Sequence, residues 1–261
     1  MIIDFHTHAW PEKVAHSARE NLESLFKVRM VDEPTVPTLL RFMDKNAIET
    51  SVICAVATKP EHVPSINTWL FGVRTPRLRV FAAMHPAYPK WKDELLRIKS
   101  GADGIKLQPE FQDFYVDDES LFPVYETIEG LGLPVLFHCG EELSGTMLVR
   151  SSPERLIRVH RKFPDLTIIA AHFGGFRLWD QVKAWLLGSD IYLDTSFFFG
   201  FLPDDETRQM LLAHRQDRLL FGTDFPLIDQ KKDIDFLKGL DLPPGLVERI
   251  FSLNARSLLG M

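Results

Sequence analysis

The chain has 261 residues, of which 25% are charged and 45% hydrophobic, and a net charge of −6, the balance of a folded globular protein rather than a disordered one. The mild acidity gives no footprint for a nucleic-acid partner, and no apolar run reaches the ~18 residues of a membrane-spanning helix. Two cysteines, Cys54 and Cys139, make no disulfide framework and suit a reducing compartment; with no basic, apolar leader ahead of Asp4, the expected location is the cytoplasm.

From the amino terminus onward, short β-branched runs alternate with longer amphipathic stretches. Strands are predicted at residues 2–5, 51–56, 80–84, 104–107, 135–138, 167–172, 191–194 and 219–222. Each is short and dense in Val, Ile, Leu or Phe, as strands buried on both faces are. Residues 38–46, 90–99, 120–129, 153–163 and 176–187 read as amphipathic helices. Pro153 and Pro203 stand where a helix tolerates proline in its first turn. The longest irregular stretch after a strand, 10–36, is placed to form a lid or a helical subunit contact, so a homo-oligomer is compatible with the sequence. Strand–helix alternation repeated eight times predicts one α/β domain over residues 1–261, a single (β/α)8 TIM barrel. No Gly-rich phosphate loop follows the first strand, which disfavours a doubly wound dinucleotide-binding fold.

Polar side chains interrupt these apolar strands at their C-terminal ends, the face on which barrels assemble active sites. His6 and His8 are two residues apart and share one side of strand 1. His138 ends strand 5, His172 ends strand 6 and Asp224 follows strand 8. Singly, each has an ordinary reading: a hydrogen-bonded histidine, or an aspartate capping a helix. Together they converge only if strand 8 closes on strand 1, and imidazole plus carboxylate is the donor set of zinc and similar ions. Burying these groups unpartnered would cost on the order of several kcal/mol, which a metal would offset.

Further positions carry more than one reading. Asp4 has the parity of His6 and His8, one layer deeper, and is expected to orient metal ligands or to pack the barrel. His85 is expected as a hydrogen-bonding support, and Cys139, pointing away from His138, as a buried thiol. Glu110, Glu141 and Glu142 are substrate contacts or loop charges. Three consecutive phenylalanines, Phe197 to Phe199, cannot all face the core, so some should wall the site or join a subunit contact.

The motifs Asp4-Phe5-His6-Thr7-His8, Gly104-Ile105-Lys106-Leu107-Gln108-Pro109, His138, Ala171-His172-Phe173-Gly174-Gly175, Phe221-Gly222-Thr223-Asp224-Phe225-Pro226 and Asn254-Ala255-Arg256 span the chain. In order and spacing it resembles the amidohydrolase superfamily, and within it the amidohydrolase family 2 branch, which includes aminocarboxymuconate semialdehyde decarboxylase and aromatic-acid decarboxylases. For mononuclear members the resemblance implies one divalent metal on His6, His8, His138 and Asp224, with His172 a catalytic residue beside it. Zinc is the expected ion, with Mn2+ and Fe2+ as alternatives. Lys106 occupies the strand from which binuclear members supply a carboxylated lysine. Here it is expected uncarboxylated, against substrate or a neighbouring carboxylate.

The leading expectation is a metal-dependent hydrolase that activates water towards a small-molecule amide, ester or lactone. The ion would lower the pKa of water towards ~7, Asp224 would take the water proton, and His172 would stabilise the oxyanion or protonate the leaving group. Substrate binding is assigned to Lys106 and Glu110. The alternative is non-oxidative decarboxylation of a small carboxylic acid at the same site, with His172 and Asp224 managing proton transfer to carbon. A carboxylate clamp would favour it, and Arg41, Arg150 and Arg177 are the candidates. A metal-dependent nuclease or phosphoesterase, and a non-catalytic metal-binding barrel, are the remaining readings.

Overall fold

The computed structural model describes residues 1–145 and 148–261. Its strands are β1 (Ile3–Thr7), β2 (Thr50–Cys54), β3 (Leu78–Ala83), β4 (Gly104–Leu107), β5 (Val135–Phe137), β6 (Ile168–Ala170), β7 (Tyr192–Asp194) and β8 (Leu219–Leu220). They form one eight-stranded sheet in chain order, each parallel to the next. Helices lie between them, among them Val36–Lys45, Val63–Val73, Trp91–Ile98, Phe122–Leu131, Pro153–Lys162, Trp179–Trp185, Asp204–Ala213 and Gln230–Gly239. The predicted (β/α)8 barrel is the architecture observed. Between strands and helices runs one large apolar cluster. A smaller cluster, drawn from β1, β2, β3, β5, β6 and β8 and including Phe5, Val52, Phe81, Leu136 and Ile169, fills the barrel interior below the site.

The seam between β8 and β1 is made mostly beyond the end of β8. The Phe5 amide donates to Phe221 O at 2.7 Å, the Asp224 amide to His6 O at 2.8 Å and the His8 amide to Phe225 O at 2.7 Å. Gly222 permits this approach, because a Cβ there would sit 2.9 Å from the Cβ of His6. Chain closure therefore brings His6, His8 and Asp224 together through the backbone.

Several expectations are corrected by the local geometry. Strand 6 stops at Ala170, and His172 lies past it with φ 56°, followed by Phe173 at φ 53°. Such left-handed residues are uncommon without glycine. Here the Asp194 carboxylate takes the His172 amide at 3.1 Å and holds the turn. Asp224 likewise has φ 63° and precedes a cis Phe225–Pro226 bond.

The register of β1 against β2 slips between Asp4 and Thr7. An extra residue in one strand breaks period-two parity, so Asp4 does not project with His6. It bonds Gln230 on the helix outside the barrel at 2.8 Å and the Thr223 hydroxyl at 2.7 Å.

Residues 10–36 are not irregular. They contain a 15-residue helix, Glu12–Phe26, entered from Pro11, in which Ala15 alone is fully buried. Phe197, Phe198 and Phe199 are all buried, and Phe197 also walls the cavity at the barrel mouth, as expected of part of the run. The left-handed φ of 49° at Phe197 turns the chain, Phe198 stacks on Phe173 at 3.9 Å and Phe199 stacks on Phe236 at 5.0 Å.

Candidate active site

A cavity of about 570 Å³ opens at the C-terminal ends of the strands, floored by His6, His8, Lys106, His138, His172 and Asp224. Its walls are mainly apolar, with Trp10, Leu22, Phe26, Trp69, Phe111 and Phe176 among them. The helix Glu12–Phe26 supplies much of one wall, and its Phe26 stacks on Phe111 beyond β4 with ring centres 6.1 Å apart.

At the floor, Asp224 Oδ1 lies 2.8 Å from His8 Nε2 and 3.5 Å from His6 Nε2. The opposite ring nitrogens are engaged. His8 Nδ1 reaches Cys54 O at 2.6 Å, and His6 Nδ1 reaches Asp194 Oδ2 at 2.9 Å. Carbonyl and carboxylate oxygens only accept, so both Nδ1 atoms donate, and a ring that carries no second proton turns its Nε2 lone pair towards Asp224. Burial and then the Lys106 cation depress the His6 pKa, favouring its neutral form. Burial opposes ionisation of Asp224, yet His6 and His8 outweigh it and hold its carboxyl below the usual range. Asp224 Oδ1 is buried without a hydrogen-bond partner. A proton on that oxygen could serve one imidazole at a time, whereas one cation can serve both. The donor atoms of His6, His8 and Asp224 lie within 4.8 Å of one another. These three residues fit a divalent metal.

His138 is not part of that cluster. Its Nδ1 is 2.9 Å from His172 Nε2, and its Nε2 contacts Glu142 Oε1 at 3.1 Å. Its donor atoms group instead with those of Glu110 and Glu142. Burial lowers the pKa of His172 to about 4, leaving it neutral at pH 7. Lys106 is almost fully buried. Its partner is an imidazole rather than a carboxylate, with Nζ 3.4 Å from His6 Nε2.

Glu110 does not line the cavity. Its Oε1 accepts from the amides of Arg150 at 3.0 Å and Ser151 at 3.2 Å, which ties down the chain after β5. Glu141 and Glu142 do line the cavity. Of the three arginines, Arg41 pairs with Asp32, Arg150 with Asp113 and Arg177 faces Glu141, and none lines the cavity. His85 accepts from the Ala87 amide in its own turn at 3.2 Å and supports no site residue. Cys139 is a buried free thiol, as expected.

The Amidohydro_2 family model, described as amidohydrolase, matches residues 3–261. The chain belongs to amidohydrolase family 2. Among curated protein sequences none matches this family member significantly, but solved structures do. A TIM-barrel protein of Bordetella bronchiseptica, Bb4693, superposes with a TM-score of 0.78 at 21% identity, covering 99% of this chain and 98% of its own. A dihydroxybenzoic acid decarboxylase of Polaromonas sp. JS666, with bound manganese and 2-nitroresorcinol, gives 0.72 at 20% identity over 99% and 96%. A 5-carboxyvanillate decarboxylase of Novosphingobium aromaticivorans, complexed with manganese and 4-hydroxy-3-methoxy-5-nitrobenzoic acid, gives 0.74 at 13% identity over 100% and 96%. At these identities the likeness establishes the fold.

Two polar residues central to this family member's site were missed from sequence. Asp194 ends β7 and accepts from His6 Nδ1, from the amides of His172 and Ser196, and from the Ser196 hydroxyl. It carried the same signal as the histidines, a polar residue ending an apolar strand. Ser196 lies two residues beyond it, and serine in a turn carries no such signal.

Proposed function

We propose that this protein is a metal-dependent, non-oxidative decarboxylase of a small, planar carboxylic acid. The observation that carries the reading is the convergence of His6 Nε2, His8 Nε2 and Asp224 Oδ1 on one point, at the floor of a cavity walled by tryptophan and phenylalanine. His6, His8 and Asp224 would hold the metal. When bound, a divalent ion supplies Lewis acidity to substrate oxygens and lowers the pKa of bound water. Two of the structural neighbours named above are decarboxylases, and both are described with manganese, so Mn2+ joins Zn2+ as a candidate ion.

The remaining roles follow from the chain's own side chains. The aromatic walls exclude water and offer π-faces to a planar substrate. Lys106 places a cation on the cavity floor, where it can pair with an anionic substrate group. His172, neutral and with a ring edge on the cavity, is suited to moving a proton to or from the reacting carbon. The substrate is a small molecule, and the two buried free thiols agree with a reducing, cytoplasmic setting. Among the described residues no helix is long and apolar enough to cross a membrane.

One observation favours the hydrolytic reading of the same site. Among the described residues no arginine lines the cavity, so a bidentate carboxylate clamp is not found there and Lys106 carries that duty without it. Hydrolysis of an amide, ester or lactone, with Asp224 as general base, needs no such clamp. The deciding experiment loads the purified protein with Mn2+ or Zn2+ and presents hydroxylated benzoic acids beside a panel of amides, esters and lactones. Metal-dependent CO2 release from the acids is the expected result. Metal-dependent acid production from the second panel, with no CO2 from the first, overturns the decarboxylase in favour of the hydrolase.

A further inference from the structure

The turn after β7 carries a hydroxyl in contact with three groups of the site. Ser196 Oγ lies 2.9 Å from His172 Nδ1 and 3.1 Å from His6 Nδ1, and it is hydrogen-bonded to Asp194 Oδ1. Ser196 and Asp194 are both fully buried, so no solvent competes for these bonds.

The direction of each bond follows from what the atoms can do. A carboxylate oxygen only accepts, so the single Ser196 hydroxyl proton goes to Asp194. The Ser196 oxygen is then left with lone pairs alone, facing His172 Nδ1. The other group near that nitrogen is the Ser196 carbonyl oxygen, at 3.3 Å, which also accepts only. His172 Nδ1 must therefore carry the proton, and His172 Nε2 must be bare. The next atom along is His138 Nδ1, 2.9 Å from that bare nitrogen, which in turn has to donate. This leaves His138 Nε2 as a bare lone pair, 3.1 Å from Glu142 Oε1 and with no hydrogen bond formed there.

We infer that Ser196, oriented by Asp194, is a positioning residue that locks His172 in its Nδ1–H tautomer and so leaves Nε2 as the acceptor, engaged by His138 Nδ1–H. The inference rests on the reading of His172 as the proton-transfer group. It adds that His172 starts the cycle as an acceptor and has to gain a proton at Nε2 before it can give one. Asp194 joins the two halves of the arrangement, because the same carboxylate also receives His6 Nδ1–H. One buried carboxylate thus sets the tautomers of both rings.

The test is the tautomeric state itself, read by nitrogen-15 NMR of histidine-labelled, zinc-loaded protein without substrate. Wild type should show His172 protonated at Nδ1 and bare at Nε2. Ser196→Ala leaves the more distant carbonyl as the sole acceptor, and a population protonated at Nε2 should appear. With the substrate found above, kcat should fall roughly 10–100-fold, less than the ~10⁴ of a fully wrong tautomer in a Ser-His-Asp triad. KM and metal content should change little. Ser196→Thr keeps the oxygen and should restore both the tautomer and the rate. A wild-type His172 protonated at Nε2, or an unchanged tautomer in Ser196→Ala, overturns the proposal. If Ser196→Ala does not fold, wild type and Ser196→Thr decide it, since both must carry the Nδ1 proton. The spectrum needs no substrate, so it stands or falls separately from the decarboxylase reading.

Discussion

Two buried carboxyl groups, some residues apart on the same barrel mouth, show opposite behaviour. Asp194 is 0% exposed and Glu142 is 5% exposed, so desolvation disfavours the charge on both. At Asp194 burial is outweighed by His6, His172 and the Ser196 hydroxyl, and its pKa falls below the usual value. At Glu142 burial is reinforced by neighbouring Glu110 and relieved mainly by the Gln108 amide, and its pKa rises to about 8. Burial alone does not decide whether a carboxyl is charged; the number of donors aimed at it does. The sector around β1, β7 and β8 is built about ionised carboxylates and can hold a cation. The sector beyond β4 and β5 keeps Glu142 mainly protonated at pH 7 and sets it beside the Gln108 amide on the cavity wall.

The most severe break in this contrast is the double substitution His6→Ala/His8→Ala. Elemental analysis should show the bound divalent metal gone and turnover undetectable, while circular dichroism shows the barrel retained. Retained metal would mean that the cation sits elsewhere.

Next in size is His172→Asn. A proton-transfer group leaves the metal shell intact when removed, so metal content should stay near normal while kcat falls by ~10²–10⁴. His138→Asn on the same preparation scale is the comparison: if it alone loses metal, His138 is a ligand and His172 is not.

Asp194→Asn against Glu142→Gln sharpens the contrast directly. Removing the carboxylate that orients a metal-binding histidine costs ~10–100-fold in metal affinity, and Asp194→Asn should show it in a competition titration with a chelator. Glu142→Gln replaces a group already uncharged at pH 7 and should leave metal affinity nearly unchanged.

The smallest effect is on stability. Burial raises the Glu110 pKa from 4.5 to about 7, so between those values the folded chain holds a proton that the unfolded chain has lost. Stability contributed at this site therefore falls as pH rises from 4.5 to 7, by at most ~1.4 kcal/mol per pH unit, and is level above. Glu110→Gln keeps an oxygen for the Arg150 and Ser151 amides and abolishes the titration. Its urea midpoint should match wild type near pH 4.5 and exceed it at pH 8; equal midpoints at both would sink the assignment.

The barrel was legible in the sequence because eight doubly buried strands leave eight apolar runs, and the site because polar residues ended them. What failed was parity and rotamer. The Asp4 reading assumed an unbroken period of two through β1, and the register slip there sends its carboxyl out to Gln230. His172 was placed in a strand, but the Asp194 carboxylate holds its amide in a left-handed turn, an interaction 22 residues distant in sequence. Of the phenylalanine run, Phe197 walls the site as expected, and the turn there gives Phe198 and Phe199 buried surroundings of their own. Helix Glu12–Phe26 was expected only as a lid or a helical subunit contact, because it is an added excursion between β1 and the first barrel helix and fully buries only Ala15.

The seam has a consequence for how the protein comes into being. His6 and Asp224 stand on its two sides, 218 residues apart in the chain and joined by the hydrogen bond that the Asp224 amide donates to His6 O. Ribosomal synthesis releases the first histidines early and the aspartate only when most of the molecule has emerged. Until then the nascent chain holds imidazoles without their carboxylate, and a fragment of half a barrel can never complete the cluster. On the proposed metal site, acquisition of the ion is thereby deferred to the closing of the ring, and a chain that stalls or is cut before Asp224 lacks the carboxylate of that site.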